Sequence, residues 1–358
     1  TAGVLVTVDS IRRIDITLPV AGVTQQIEIA ASPLQVEAAD TGAVIEHDRI
    51  EKLPLNRRGF LQLALLVPGV NPPVQDSELS SRGSFAAHVN GGREEFNNFL
   101  LDGVDNNDLY TNRYVMEPPV DTIQEFKITA GSYSAEYARS GGAQINVITR
   151  SGTNDFHGLA YEYFRNRALD APNAFDAGTR NKYARNQFGG LIGGPVRKDR
   201  TFFFANIDAL RERRGLTRLA TVPTQAQRNG QLTAPAIDPF TQRPFPNNTI
   251  PASRIHPVAG QVLNLFPLPN RPGTSGNFLA QPVFSENSTQ GGARIDHRLN
   301  RTGQLSLRYQ LADQSLVEPY AEDSTDIPGF GNLVDNRGHN AMLHHEQAFG
   351  ASLLHSLR

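Results

Sequence analysis

The chain has no cysteine among its 358 residues. Disulfides and cysteine-ligated metal sites are therefore excluded, although this absence assigns no compartment. Long hydrophobic runs are missing as well. The richest, Leu61–Val67, is far shorter than the ~20 apolar residues a membrane helix needs. Membrane β-strands escape such a scan, because alternation averages them to mild polarity. Excess charge is lacking too: 34 Lys and Arg against 36 Asp and Glu leave a net charge of −2. A general nucleic-acid binder would show a basic stripe, so no nucleic-acid partner is expected. Catalytic signatures are missing: no G-x-S-x-G, Walker lysine loop or H-E-x-x-H occurs. His344-His345-Glu346 has no second histidine at the required offset, and Gly329-Phe330-Gly331 meets Val334 where a dinucleotide fingerprint needs its third glycine. The expectation is a protein that is no enzyme, with no cofactor and no metal.

What the chain does have is concentrated between Pro119 and Gly158. Ile123–Thr129 reads as a strand, with Phe126 and Ile128 on one face and Ile123, Glu125, Lys127 and Thr129 on the other. A break at Gly131-Ser132 and a polar turn lead to Ser140-Gly141-Gly142, where glycine allows close backbone approach or positive φ. A β-branched strand follows at Ala143–Thr149, Ser151-Gly152-Thr153-Asn154 ends it, and a new alternating run begins at Phe156.

This stretch resembles the plug domain of TonB-dependent outer-membrane receptors, and its continuation resembles their Oar-like subfamily. The residues that match are Glu125, Tyr137, Gly141, Gly142, Asn146 and Thr149, within a strand, a small-residue turn and a Gly-Gly-x-x-Ile-Asn-Val-Ile-Thr strand. Ala130-Gly131-Ser132 stands where the family usually has Arg-Gly-Pro, a departure typical of the subfamily. The resemblance implies a mainly β protein with an α+β plug, followed by the first strands of an antiparallel transmembrane β-barrel. Thr1 is neither an initiator methionine nor the start of a signal peptide, and the last residues lack the terminal aromatic of such barrels. The chain is expected to be an internal segment of a longer receptor.

In chain order, residues 1–31 hold three short β-like runs that resemble the end of a carboxypeptidase-regulatory-like β-sandwich. Gln25, Gln26, Ile27, Glu28, Ile29 and Ala30 sit where the family places its TonB box. An extended segment there can add to a partner's sheet edge through main-chain bonds, or it is simply the last strand of the sandwich; both readings stand. Residues 32–48 are expected as a polar tether and 49–150 as the plug. Within the plug, Phe60, Leu61, Ala64 and Leu65 form one face of a short helix with Asn56 as its cap and Pro68-Gly69 as its stop. Val104–Asp108 suggests either a Ca²⁺ loop or a hydrogen-bonded turn, and it lacks the EF-hand spacing. Phe85, His88, Arg93, Tyr110, Arg113 and Tyr114 are candidate ligand contacts on plug loops, against the plainer reading of solvated loop residues.

Residues 151–358 are expected to be the N-terminal part of the barrel, with about six strands and a long loop at 211–287 containing a short helix between Pro257 and Pro267. A soluble β-sandwich alternates in the same way, and the plug motif decides between the two. Leu159, Tyr161, Tyr163, Phe203, Ile207, Leu305, Leu307 and Leu311 are expected toward lipid. Glu162, Asn206, Asp208, Ser306 and Arg308 are expected toward the lumen. The resemblance implies a location in the cell outer membrane and three partners: an inner-membrane TonB-type energy transducer, membrane lipid and an extracellular ligand. It also leaves open a structural, adhesive or protein-secretion role of the Oar-like type in place of uptake.

Overall fold

The computed structural model describes residues 41–53, 55, 58–72, 87–110, 112–131, 133, 141–171, 181–320, 327, 329, 331–350 and 352–358. The first 40 residues, and with them the segment 25–30, lie outside this set, as do Phe85 and Tyr137.

The N-terminal part is built on a five-stranded mixed sheet. Its strands are β1 (Thr41–Glu46), β4 (Asn98–Leu101), β5 (Val104–Asp105), β6 (Ile123–Gly131) and β7 (Gln144–Thr149), in the order β1-β6-β7-β4-β5. A two-residue pair, β2 (Val70–Asn71) with β3 (His88–Val89), lies apart from it. Pairing is antiparallel except between β4 and β7, which run parallel. The alternation in β6 explains one face: Phe126 and Ile128 align with Val147 and Ile145 of β7 and with Ile45 and Ala43 of β1. Phe60, Leu61, Leu63 and Ala64 cover that face, and the Phe60 ring meets Phe126 edge-on at 5.2 Å. Ring pairs of this kind add to the area they bury.

Two features differ from the sequence expectation. From Thr41 onward the expected tether is an edge strand of the sheet, followed by the helix α1 (His47–Lys52). The Phe60–Leu66 segment is a 3₁₀ helix entered from Gly59. Its tighter pitch turns Leu63 inward and leaves Leu65 outside, against the α-helical face expected from Phe60, Leu61, Ala64 and Leu65.

The C-terminal part is a seven-stranded antiparallel sheet, one strand more than expected. It comprises β8 (His157–Asn166), β9 (Tyr183–Arg197), β10 (Thr201–Gly215), β13 (Val283–Arg298), β14 (Gly303–Glu318), β15 (Asn332–Phe349) and β16 (Leu353–Leu357). Every pair of sequence neighbours is hydrogen-bonded, and β8 and β16 are the edges. The extra strand arises because the chain turns at Gly350, whose φ is +71°, between β15 and β16. Connections are short at one end of the sheet (198–200, 299–302, 350–352) and long at the other (167–182, 216–282, 319–331).

One face of this wall is apolar and exposed, the other polar and buried. Ile207 is 58% exposed while the neighbouring Asp208 is 5% exposed; Leu307 is 44% exposed and Arg308 3%. That inverts a water-soluble sheet, in which apolar side chains are the buried set. On β10 and β14 the facing agrees with expectation. On β8 it is reversed. Leu159, Tyr161 and Tyr163 align with Leu191, Gly189 and Gln187 of β9, and through them with Asn206, Asp208 and Leu210 on the inner face. Glu162 is therefore on the outer face. Alternation gives the period of a strand, but a one-residue phase error moves every side chain to the other side.

β10 continues past Arg211 to Gly215, and β13 starts at Val283, so the insertion spans 216–282. It contains a small ladder, β11 (Arg218–Ala220) with β12 (Phe278–Ala280), and a helix at Pro257–Asn264. Ala220, Val222 and Ile327 form its local core. Asp238 is bridged by Arg254 at 2.8 Å and accepts the Phe240 amide at 2.9 Å. These bonds, Arg254 foremost, hold its carboxyl below the usual carboxylate range. A depressed folded pKa contributes stability that is present above the usual range and lost as pH falls through the folded value. Amides of 237–255 are accordingly expected to stay protected from hydrogen exchange at pH 5 and to open only in stronger acid. Asp238→Asn is expected to remove that protection at neutral pH.

Candidate functional site: the docking of the mixed sheet on the wall

Among the described residues, the N-terminal part makes two polar contacts with the inner face of the wall that are centred on charged groups, besides the packing of Val115 and Met116 against Gly338. The first centres on Asp102, in the tight β4–β5 turn, where Asp102 and Gly103 both take positive φ (51° and 76°). Its carboxylate accepts the Thr149 amide and hydroxyl, each at 2.8 Å. On the wall side Arg308 Nε lies 2.6 Å from Oδ2 and Arg294 Nη1 3.5 Å from Oδ1. Arg308 also donates to the Leu101 carbonyl at 3.1 Å and to Asn340 at 2.8 Å. Asn340 in turn donates to the Asp105 carbonyl at 3.1 Å. Strands β13, β14 and β15 thus each send one side chain to the same part of the sheet.

The charges balance closely. Arg294 and Arg308 are direct cross-strand partners, an arrangement unfavourable for like charges. Asp296 forks onto Arg294 at 2.9–3.1 Å, and Ser306 donates to Asp296 at 2.6 Å. This leaves Asp102 as the carboxylate that answers Arg308, whose side chain is 0% exposed.

The second place is Arg58, a non-glycine residue with φ of 55°. It bonds buried Asp121 at 2.7 Å and lays its guanidinium over Tyr163 at 4.4 Å and Tyr161 at 5.3 Å. Tyr161 donates to Asp208 at 2.6 Å. Its ring crosses Gly189, where a Cβ would come 2.6 Å from the tyrosine hydroxyl, so the glycine is needed for the reach. Arg58→Ala strips Asp121 of its cation and the two rings of theirs. It is expected to cost about 1.5–3 kcal/mol, the range for hydrogen bonds to charged groups. Faster exchange at the amides of 120–123 checks this, with Arg58→Lys intermediate because it keeps the charge but loses the planar fork.

The candidate residues from the sequence fall into distinct environments. Thr149 belongs to the Asp102 cluster. Asn146 is buried on β7 opposite Lys127, and Glu125 lies opposite Ile148 on β6. Gly142 is packed against the Phe96 carbonyl and the Asn97 side chain, leaving no room for a Cβ, whereas Gly141 is in open space. Tyr114 packs edge-on against Phe99 and donates to Glu117 at 3.0 Å, so it is part of the core margin. His88 is half-buried, bonded to the Gly92 carbonyl and beside Glu94. Arg93 is exposed, Arg113 is half-buried, and Tyr110 stands almost free at 93% exposure beside Leu109.

The 104–108 cluster is knitted by its own bonds. Asn107 receives the Phe99 amide, Asn106 donates to the Met116 carbonyl, and Asp108 receives the Tyr110 amide. Arg58, Asp102, Asp121, Arg294 and Arg308 were not singled out as a group. No short motif links them: Asp102 and Arg308 are 206 positions apart in the chain.

Comparisons with known proteins agree with the fold of the wall. A family model described as outer membrane beta barrel domain matches residues 148–358. The TonB-dependent transporter Oar of Myxococcus xanthus is 26% identical over 217 residues, which is 54% of this chain and 19% of that protein. Among solved structures, the outer membrane transporter YddB of Escherichia coli superposes with a TM-score of 0.53 at 12% identity, covering 87% of this chain and 37% of that one. A point mutant of the ferric enterobactin receptor PfeA of Pseudomonas aeruginosa gives 0.51 at 14% identity, over 88% and 39%. At such identities the structural likeness shows the fold. The chain spans about a fifth of the length of the Oar relative and under two fifths of these receptors.

Proposed function

The chain belongs to the outer membrane beta barrel domain family, and we propose that its exposed apolar face is turned to lipid and that the intact protein is a TonB-dependent transporter. In this reading the five-stranded unit is the plug that closes the lumen. The cargo is a scarce extracellular ligand such as a siderophore or an oligosaccharide. The observation that carries the reading is the docking of the mixed sheet on the polar wall face through Asp102, Arg294 and Arg308. A unit held there obstructs the lumen. An interface of ion pairs and hydrogen bonds can also exchange its partners for water, so it can be remodelled without exposing an apolar core.

Barrels of this kind carry short turns on the periplasmic side and long loops outside, which puts 216–282 at the cell surface. Energy then reaches the plug by contact. Residues 25–30 add as a strand to an inner-membrane TonB-type partner, and pulling through the following segment loosens the plug. The similarity to the Oar transporter supports the same class.

The test is proline substitution in the intact protein. Proline removes a backbone donor and fixes φ. Ile27→Pro and Ile29→Pro are expected to abolish energy-dependent uptake while surface ligand binding and barrel assembly persist; Ile27→Ala, which keeps the N–H, is expected to be milder. Normal uptake in both proline variants would remove this segment as the coupling site. Lower protein abundance instead would mark it as a sandwich strand.

A further inference from the structure

We propose that Lys182, Arg211 and Arg213 form a docking site for phosphorylated headgroups of the membrane lipids at the long-loop rim of the wall. The proposal rests on the membrane reading of the wall and is independent of what is transported. A membrane β-strand crosses in about 9–11 residues. Counted from Thr201 at the short-turn end, β10 leaves the hydrocarbon near Ala209–Arg211. The same count from Gly303 on β14 and backward from Gln347 on β15 reaches Asp313 and Arg337. The outward residues below this level on β9 and β10 include Phe188, Ile192 and Ile207, which are exposed. On β10, β14 and β15 charge thus begins on the outer face where the apolar band ends, while Glu162 on the edge strand β8, opposite Phe188, lies lower.

At that rim Arg337 is answered by Asp313 on the neighbouring strand. Arg211 and Arg213 have no such answer among the described residues. They share the outward face of β10, opposite Asn186 and Asn287, and Ala184 and Ser285. Arg211 donates to the Leu210 and Ser288 carbonyls and the Thr289 hydroxyl. Arg213 donates to the Glu212 carbonyl and to Asn287. All these acceptors are neutral. They hold both guanidiniums in place while part of each fork stays free. Glu212 and Glu286, the nearest carboxylates along these strands, lie on the opposite, inner face. Exposed Lys182 continues the patch one rung higher, its carbonyl accepting the Gly215 amide at 2.6 Å. Three cations above an aromatic and aliphatic band match the layout of a lipid leaflet, apolar chains below and phosphate above. Arginine forks suit phosphate geometry in particular.

The experiment uses the intact protein in nanodiscs of defined composition, with lipid retained after detergent extraction counted by native mass spectrometry. Wild type is expected to retain phosphatidylglycerol or phosphatidic acid in preference to phosphatidylcholine. The triple variant Lys182→Gln, Arg211→Gln, Arg213→Gln is expected to lose that preference, by about fivefold for each cation removed, the order found for basic residues at an anionic surface. Should the triple variant fail to assemble, Arg213→Gln alone, at an exposed position, carries the same test. Equal retention in wild type and variant overturns the proposal, as does a loss that includes phosphatidylcholine equally. Displacement of the retained lipid by millimolar inorganic phosphate would identify a site for free anions instead and overturn the lipid assignment.

Discussion

Asp102→Ala in the intact protein is expected to be among the most damaging single substitutions in the mixed sheet, loosening its docking on the wall by roughly 3–5 kcal/mol, the range for breaking a buried ion pair from one side. The loss exceeds that of one contact. Arg308 is fully buried and answered by Asp102, so removing the carboxylate strands a guanidinium away from water next to the like charge of Arg294. Thr149 loses the acceptor of both its amide and its hydroxyl. The readout is hydrogen exchange at 98–105 and 144–149, which should accelerate while the wall amides of β13 and β14 stay protected. Asp102→Asn should fall between, since its one carbonyl oxygen can still accept the Thr149 amide while the charge and the second acceptor are lost. The paired change Asp102→Asn with Arg308→Met should recover the part of the loss that comes from the stranded guanidinium, because no uncompensated charge is left at position 308. If Asp102→Ala exchanges like wild type, the Asp102 cluster does not hold the two parts together.

Leu307→Arg should cost roughly 2–4 kcal/mol, the range for arginine near the bilayer midplane. Leu307 lies on the outer face of β14, four residues from Gly303 at the short-turn end, close to the middle of the crossing. The natural comparison is an inward residue on the same strand. Ser306, placed by the sequence toward the lumen, is a poor choice: it is 3% exposed, donates to Asp296 opposite it and stands two residues from buried Arg308. Gln304 is inward and exposed, and Gln304→Arg should change stability little. Midpoints of urea unfolding in lipid vesicles measure both. Equal sensitivity at 304 and 307 would mean that the outer face of β14 does not meet lipid.

Several features were legible in the sequence because they depend on local pattern. The alternation in 201–209 and 304–311 marks wall strands with the correct face. The β-branched run 143–149 marks β7, and the helix between Pro257 and Pro267 is framed by two prolines that start and stop it. The motif around Gly141-Gly142 indicated the fold class of the whole. Other features were set only by tertiary packing. The phase of β8 was one: its tyrosines look lipid-facing until Arg58, about a hundred positions upstream, is seen lying over them. The outer halves of β13, β14 and β15 were another. Their outward residues Thr289, Asp313 and Arg337 are polar or charged and break the apolar alternation by which a strand is read from the sequence. The Asp102, Arg294 and Arg308 cluster was a third. A single aspartate in a turn and two arginines on separate strands carry no local signature. The physical reason is the same in each case: a strand's period is written in its neighbours along the chain, whereas the face it presents and the charge it answers are decided by what packs against it.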